Sequence, residues 1–117
     1  MTDYVPPLRD MQFCLHEMGV VDTIRKLPAF KNLSNDVIDA ILEESGKFAR
    51  EVLAPINHTA DIEGASIRDG VVSTPDGFAE AYQNFVAGGW ASLPFSPVYG
   101  GQNLPWVLAA ATQEMWI

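Results

Sequence analysis

The sequence has little of what marks several common protein classes. Cys14 is its one cysteine, so an internal disulfide is impossible. The seven Lys and Arg residues are scattered and the net charge is −8, which argues against nucleic acid or an anionic membrane as a partner. No apolar run reaches the roughly 18 residues of a membrane span. The N-terminus also lacks the basic start and apolar core of a signal peptide. These absences predict a cytoplasmic protein.

Catalytic and metal-binding motifs are missing as well. The chain contains no GxGxxG, no phosphate loop, no GxSxG elbow and no HExxH pair. His16 and His58 lie far apart, and His16 is expected to be a helix-surface or partly buried residue rather than a ligand. Cys14 lies within an apolar pattern and is expected to be a small core residue. The residues alone therefore point to no catalytic group and no metal site.

Acidic pairs are the one arrangement that could suggest acid–base chemistry. Asp36 with Asp39, and Asp39 with Glu43, stand three and four residues apart in a helical pattern. A catalytic carboxylate needs burial or a close partner to shift its pKa. Because these acids lie opposite an apolar stripe, we expect a solvated helix face.

Helical periodicity dominates the first half of the chain. A first helix is expected over residues 8–18, with Gly19 as its stop, and a short one from Asp22 to Lys26. The clearest helix follows Ser34, a good N-cap, and Pro55 is expected to kink or end it. The apolar stripe of the first helix comprises Leu8, Met11, Leu15 and Met18. That of the clearest helix comprises Val37, Ile38, Ile41, Leu42, Phe48, Ala49, Val52 and Leu53.

The second half begins with a connection and then returns to helices. Asp69-Gly70 is a turn signal and predicts a tiny hairpin, too short to found a sheet. Thr74-Pro75-Asp76 predicts the start of another helix, with proline at the first helical position. That helix is expected to end at Gly88-Gly89. Its aromatic stripe, together with two tryptophans, is expected to be core: Phe78, Tyr82, Phe85, Trp90 and Trp106.

The last helix is expected to start at Pro105 and is apolar around most of its circumference. Such a helix is normally buried on all sides, but this one has few partners and no C-terminal cap. We therefore expect it to be truncated, as part of a longer protein in which further segments cover it. The fold class is predicted to be all-α, with about four to five helices. The segment SLPFSPVYGGQNLP, residues 92–105, is the most suggestive for binding, because its two glycines allow a close approach to a ligand and loops commonly carry binding sites. A tight helix–helix connection is nevertheless the favoured interpretation of this segment.

Three stretches, DYVPPLRDMQFCLHEM, FAREVLAPINHTAD and TPDGFAEAYQNFVAGGWASLPFSPVYGGQNLP, together resemble the acyl-CoA dehydrogenases. The resemblance runs over essentially the whole chain, and GGW followed by YGG-x-x-LP is its most specific part. More narrowly, the chain resembles the bacterial branch with an N-terminal extension that includes 3-methylmercaptopropionyl-CoA dehydrogenases. The resemblance implies an oxidoreductase of fatty acid metabolism that binds FAD. It also implies oxidation of the Cα–Cβ bond of an acyl-CoA thioester to the 2-enoyl-CoA.

The resemblance also implies how little of the site this chain carries. The family's glutamate base and most FAD contacts belong to later domains, so the fragment alone is expected to be inactive and free of FAD. By resemblance, Tyr99, Gly100, Gly101 and Leu104 are candidate residues on the side of the acyl pocket. Acyl-CoA and an electron-transfer flavoprotein are the implied partners, in a homodimer or homotetramer. Residues 1–33 are expected to form the N-terminal extension and 34–117 the start of the family's N-terminal helical domain.

Two other functions remain open from the residues. A stand-alone helical module would use the apolar last helix to bind a protein partner. A lipid or acyl-chain carrier would need a cavity formed by these helices alone. Both would be complete without further domains.

Overall fold

A computed structural model describes residues 4–117, so the first three residues of the expected extension lie outside the described part. Within this range the chain forms five continuous helical rods and one small hairpin. The mainly helical fold class is therefore confirmed. The rods comprise six α-helices: α1 (Leu8–Gln12), α2 (Val20–Ile24), α3 (Asn35–Phe48), α4 (Ala54–Glu63), α5 (Phe78–Ala87) and α6 (Trp106–Trp116). The antiparallel hairpin pairs β1 (Ser66–Arg68) with β2 (Val71–Ser73).

Two π-helical turns lengthen the helical rods. Phe13–Glu17 continues α1, and Ala49–Leu53 joins α3 to α4 into one rod over residues 35–63. Pro55 does not end this rod: it is the second residue of α4 and comes directly after the π-helical turn. Ser34 caps the N-terminus as expected, because its hydroxyl accepts the Val37 N–H at 3.2 Å.

The core lies where the N-terminal elements, α3 and α6 meet. Leu42 of α3 is fully buried, and Leu108 of α6 is nearly so. Burying a large aliphatic side chain contributes about 1.5–3 kcal/mol, so this seam holds most of the packing energy. Its buried apolar members are Met11, Leu15, Val21, Ile38, Leu42, Ala49, Leu108 and Met115.

The N-terminal segment, from Pro6 to His16, packs across α3. Pro6 and Leu8 lie against Gly46, where an added Cβ would stand 3.0 Å from Pro6 Cγ. Nearby, His16 Nε2 donates to the Asp39 carboxylate at 2.7 Å, and both side chains are partly buried. Asp39 is therefore not the freely solvated residue that the acidic pattern predicted, whereas His16 is partly buried as expected.

The region from α4 to α5 packs far less. Its buried residues are small or few, namely Ala60, Pro75 and Ala81. Phe85 connects α5 to the core. Its ring is tilted against that of Phe48, with centroids 6.2 Å apart, and lies edge-on to that of Trp116, with centroids 5.2 Å apart. The region from α4 to α5 therefore lies at the periphery of the core and contributes few buried side chains to it.

Several sequence expectations about burial are wrong. Cys14 and Met18 are exposed, because the π-helical turn at 13–17 changes the helical phase that the stripe assumed. Val37 is exposed in the first turn of α3, whereas its neighbour Ile38 faces the core. Phe78, Tyr82 and Trp106 are exposed rather than core residues.

The start of α5 also differs from the expectation. The helix begins at Phe78, three residues later than Thr74-Pro75 suggested, after Gly77 in a left-handed conformation with φ 88°. A Cβ at Gly77 would come within 2.9 Å of Ile56, so the chain must turn tightly where it passes α4. Pro75 is buried at that turn and not within the helix.

Candidate functional site

The loop between α5 and α6 is a closed, internally hydrogen-bonded structure. Its outgoing and returning arms pair through four backbone bonds. These are Gln102 N–H to Ser92 C=O at 3.2 Å, Leu104 N–H to Leu93 C=O at 3.0 Å, Asn103 N–H to Phe95 C=O at 2.9 Å and Gly101 N–H to Ser96 C=O at 3.0 Å. Leu93, nearly fully buried, anchors it to the protein. A loop whose backbone groups bond to one another presents its tip in a defined position.

The tip is a single 3₁₀ turn over Pro97–Tyr99. Ser96 caps it, its hydroxyl accepting the Val98 N–H at 3.3 Å, and proline occupies the first position. Gly100 ends the turn with φ 80°, a left-handed conformation that glycine adopts at little cost. Val98 and Tyr99 are consequently held outward, 84% and 85% exposed.

The two glycines serve different purposes. A Cβ at Gly101 would stand 2.0 Å from the Phe95 carbonyl oxygen, so no other residue fits between the two arms. At Gly100 a Cβ would meet open space, and only its φ favours glycine. Neither glycine leaves a cradle for a ligand: Gly101 closes the loop on itself, and Gly100 sets the direction of Tyr99.

The loop is tied to the Gly88-Gly89 turn that ends α5. Gln102 Nε2 donates to the Gly89 carbonyl at 3.0 Å, and Ser92 Oγ donates to the same carbonyl at 3.3 Å. Sequence reasoning did not single out Gln102, although it stands within the YGG-x-x-LP pattern. The GGW and YGG-x-x-LP motifs are thus parts of one hydrogen-bonded unit.

The candidate residues do not all face the same way. Tyr99 lies at the exposed tip, whereas Leu104 is half-buried and packs against the core. Phe95 and Trp106, which sequence reasoning did not place at the site, form an exposed edge-on pair with ring centroids 5.8 Å apart. The exposed surface here is therefore aromatic and apolar, without a charged side chain among these residues.

A chain with this loop matches two curated proteins over nearly its whole length. It is 36% identical over 112 residues to the 3-methylmercaptopropionyl-CoA dehydrogenase of Ruegeria pomeroyi, covering 96% of this chain and 19% of that protein. It is 32% identical over 117 residues to the butyryl-CoA dehydrogenase of Syntrophomonas wolfei, covering 97% and 19%. The resemblance to acyl-CoA dehydrogenases is confirmed.

The match concerns a segment of such an enzyme. The chain spans about a fifth of the length of the curated acyl-CoA dehydrogenases it matches. No protein-family model matches the chain. The loop geometry described above therefore belongs to a chain similar to part of an acyl-CoA dehydrogenase.

Two pockets among residues 4–117 are both small for an acyl-CoA or a flavin. One is an apolar crevice of about 10 Å³ beside Leu15 and Leu108, room for a single water. The other is an open groove of about 200 Å³ between Phe48 and Trp90, rimmed by Glu44, Lys47 and Glu51. Ligand pockets usually measure about 300–1,000 Å³. Both volumes lie below this range.

Metal and membrane chemistry also find no support in the described part of the chain. No three His, Cys, Asp or Glu side chains of residues 4–117 converge closely enough to hold a metal ion. No helix in this range has both the length and the apolar character that crossing a bilayer requires.

Proposed function

We propose that this chain is the N-terminal helical segment of an FAD-dependent acyl-CoA dehydrogenase. The parent protein would oxidise the Cα–Cβ bond of an acyl-CoA thioester to the 2-enoyl-CoA, in the cytoplasm and as a homodimer or homotetramer. The observation that carries the proposal is the match to two acyl-CoA dehydrogenases over at least 96% of the chain. Residues 1–33 would form the extension and 34–117 the start of the helical domain.

The surface area of the chain supports a larger parent. Its accessible surface is 8014 Å², whereas a compact monomer of 12.8 kDa would expose about 6,300 Å². Its Cα radius of gyration is 16.7 Å, against about 13 Å for a compact domain of this length. Surface of this extent, with Trp106 64% exposed, is what a unit covered by further protein would show.

Within the parent, the loop tip would contribute one wall of the acyl site. Tyr99, with Gly100 and Gly101 directing it, would lie against the thioester or its acyl chain, and Leu104 would support the loop from behind. When bound, FAD would accept the hydride. This segment would help to shape the acyl site and exclude water from it. The catalytic base would belong to other parts of the protein, and the electron-transfer flavoprotein would bind there.

Two measurements test this proposal. Antibodies against the chain should detect a product about five times its length in the source cells, since the chain is 19% of its relatives. That product, once purified, should retain FAD and reduce an electron-acceptor dye when given butyryl-CoA or 3-methylmercaptopropionyl-CoA. The 117-residue chain mixed with FAD and desalted should be colourless. A product of 117 residues, or stoichiometric flavin on the isolated chain, would contradict the proposal.

A stand-alone interaction module is the second candidate, because the same surplus of surface would suit a protein partner. It predicts a cellular product of 117 residues, which the antibody experiment would reveal directly. The acyl-carrier function gains no support from pockets of about 10 and 200 Å³.

A further inference from the structure

The Gly89 carbonyl is a point where several hydrogen bonds converge. It accepts the Ser92 N–H at 3.2 Å, the Ser92 hydroxyl at 3.3 Å and the side-chain amide of Gln102 at 3.0 Å. The bonds from Ser92 are local, because the two residues are near neighbours in the chain. The Gln102 bond instead joins the returning arm of the loop to the turn that ends α5.

Gly89 leaves free the space that the Gln102 amide occupies. A Cβ at Gly89 would lie 2.7 Å from Gln102 Nε2, which is too close for both atoms to stay in place. Gly89 also has φ 74°, a left-handed conformation that glycine adopts at little cost. A larger residue at this position would therefore strain the backbone and displace the amide. The glycine and the glutamine form one matched contact.

The two arms of the loop are attached to the protein unequally. The outgoing arm follows Trp90, whose ring packs against that of Trp116 with centroids 5.3 Å apart, and it includes the buried Leu93. On the returning arm, residues 99–103 are exposed or half-buried. Within residues 4–117, the Gln102 amide is the side-chain group of 99–103 that hydrogen-bonds outside the loop segment 92–105. This stretch of the returning arm is thus tied to the end of α5 by one side chain.

Tyr99 depends on the loop for its direction. Its side chain is 85% exposed, so packing against residues 4–117 does little to orient it. The 3₁₀ turn and the bonds between the arms make the loop a stiff unit, and the position of that unit then decides where Tyr99 points. A bond at the base of the loop can therefore act on a side chain at its tip.

We propose that Gln102 is a positioning residue for the acyl site, which fixes the direction of the loop tip and of Tyr99 through its bond to Gly89. This inference rests on the proposed function, in which Tyr99 lies against the thioester or its acyl chain. Gln102 acts through the loop, since its amide is engaged by the Gly89 carbonyl. Without the bond the tip would sample several directions, and the fraction in the competent direction would set the affinity for acyl-CoA.

The expected effect is on the KM for acyl-CoA. A neutral hydrogen bond contributes enough net free energy to shift an equilibrium by about two- to tenfold. Loss of the Gln102 bond should raise KM by about this factor. It should leave kcat within about twofold, because a wall of the acyl site contacts the substrate alike in the ground and transition states.

Variants of the full-length product test this role by steady-state dye reduction with butyryl-CoA or 3-methylmercaptopropionyl-CoA. Gln102→Met keeps the length of the side chain but has no donor. Gln102→Glu sets a carboxylate against the Gly89 carbonyl, so its KM should rise at least as much. Gln83→Met makes the same change on the exposed side of α5 and should leave KM unchanged. An unchanged KM in Gln102→Met, or a loss confined to kcat, would overturn the proposal.

The matched contact is tested from its other side by Gly89→Ala. This substitution should displace the Gln102 amide and also raise KM. Adding Gln102→Met to Gly89→Ala should then change KM little further, because both substitutions break the same bond. Fully multiplicative increases would show that the two residues act separately and would contradict the proposal.

Spin labels on the 117-residue chain measure the loop direction without the reaction. Glu80→Cys on α5 and Val98→Cys at the tip, with Cys14→Ser, place both labels at exposed positions for double electron–electron resonance. The distance distribution should broaden in Gln102→Met and not in Gln83→Met. An unchanged width in Gln102→Met would overturn the proposal. If the full-length product oxidised neither thioester, the proposed function would fail, while this width would still decide whether Gln102 fixes the loop.

Discussion

The seam between the N-terminal elements, α3 and α6 differs sharply in packing from the region between residues 54 and 104. The seam buries large side chains such as Leu42 and Leu108, whereas the buried apolar residues of the second region are Ala60, Ala81 and Leu93 together with Pro75. Exposed large side chains concentrate in that second region, at Tyr82, Val98 and Tyr99 among others. The difference indicates that stability resides in one region and the surface available for recognition in the other.

The largest expected effect comes from the seam itself. Leu42→Ala removes a fully buried side chain and should lower the free energy of unfolding by about 2–5 kcal/mol. Tyr82→Ala, on the exposed side of α5, should change it by no more than about 0.5 kcal/mol. Urea unfolding followed by far-UV circular dichroism measures both. Equal losses for the two variants would refute the division into two regions.

The next effect separates the two glycines of the loop. Gly101→Ala should destabilise the chain by about 3 kcal/mol, because its Cβ would overlap the Phe95 carbonyl oxygen. Gly100→Ala should cost about 1 kcal/mol, since only its positive φ is strained. Tryptophan fluorescence during urea unfolding, from Trp90, Trp106 and Trp116 together, measures the loss of stability in both variants. If Gly101→Ala proved the milder change, the closed geometry of this loop would be incorrect.

A smaller effect concerns the fastening of the N-terminal segment. Asp39→Ala leaves the partly buried His16 N–H without its acceptor and should cost about 1 kcal/mol. Glu43→Ala, one turn further along the same helix and exposed, is the control and should be nearly neutral. Limited proteolysis of the first 17 residues, compared between the two variants, measures the loosening. Identical cleavage rates would show that this hydrogen bond does not hold the segment.

The smallest effect appears at high pH. Burial, and secondly the negative charge of Glu114, raise the pKa of the Tyr4 hydroxyl above its ordinary value. The unfolded chain would lose this proton first as pH rises past about 10, so the stability that Tyr4 contributes is complete below that pH and declines above it. Tyr4→Phe should remove this part of the decline. Unfolding midpoints at pH 9 and pH 11 for both proteins give the comparison, and parallel declines would contradict it.

Much of the fold follows from local sequence signals. Ser34 predicts the start of α3, Asp69-Gly70 predicts the hairpin, and both lie where expected. These features depend on a few neighbouring residues, whose hydrogen bonding and φ preferences do not need the rest of the protein. The predicted similarity to acyl-CoA dehydrogenases also holds.

Burial was harder to predict than helical structure. Cys14 and Met18 were expected on a buried stripe, but the π-helical turn at 13–17 displaces them, and periodicity alone does not reveal such a turn. Phe78 and Tyr82 have the spacing of a core face, yet no described element covers them. The roles of Tyr99 and its neighbours at the site stay predictions, because their partners would lie outside this chain.

The π-helical turn at 49–53 sets the angle between the two regions. Each residue of an α-helix rotates the chain by about 100°, so deleting one residue from this turn would rotate α4 around the rod axis relative to α3. Ala60, now turned inward on α4, would then face water, and the hairpin that follows α4 would point away from its present side. A one-residue deletion would thus redirect the hairpin without altering any residue that forms it.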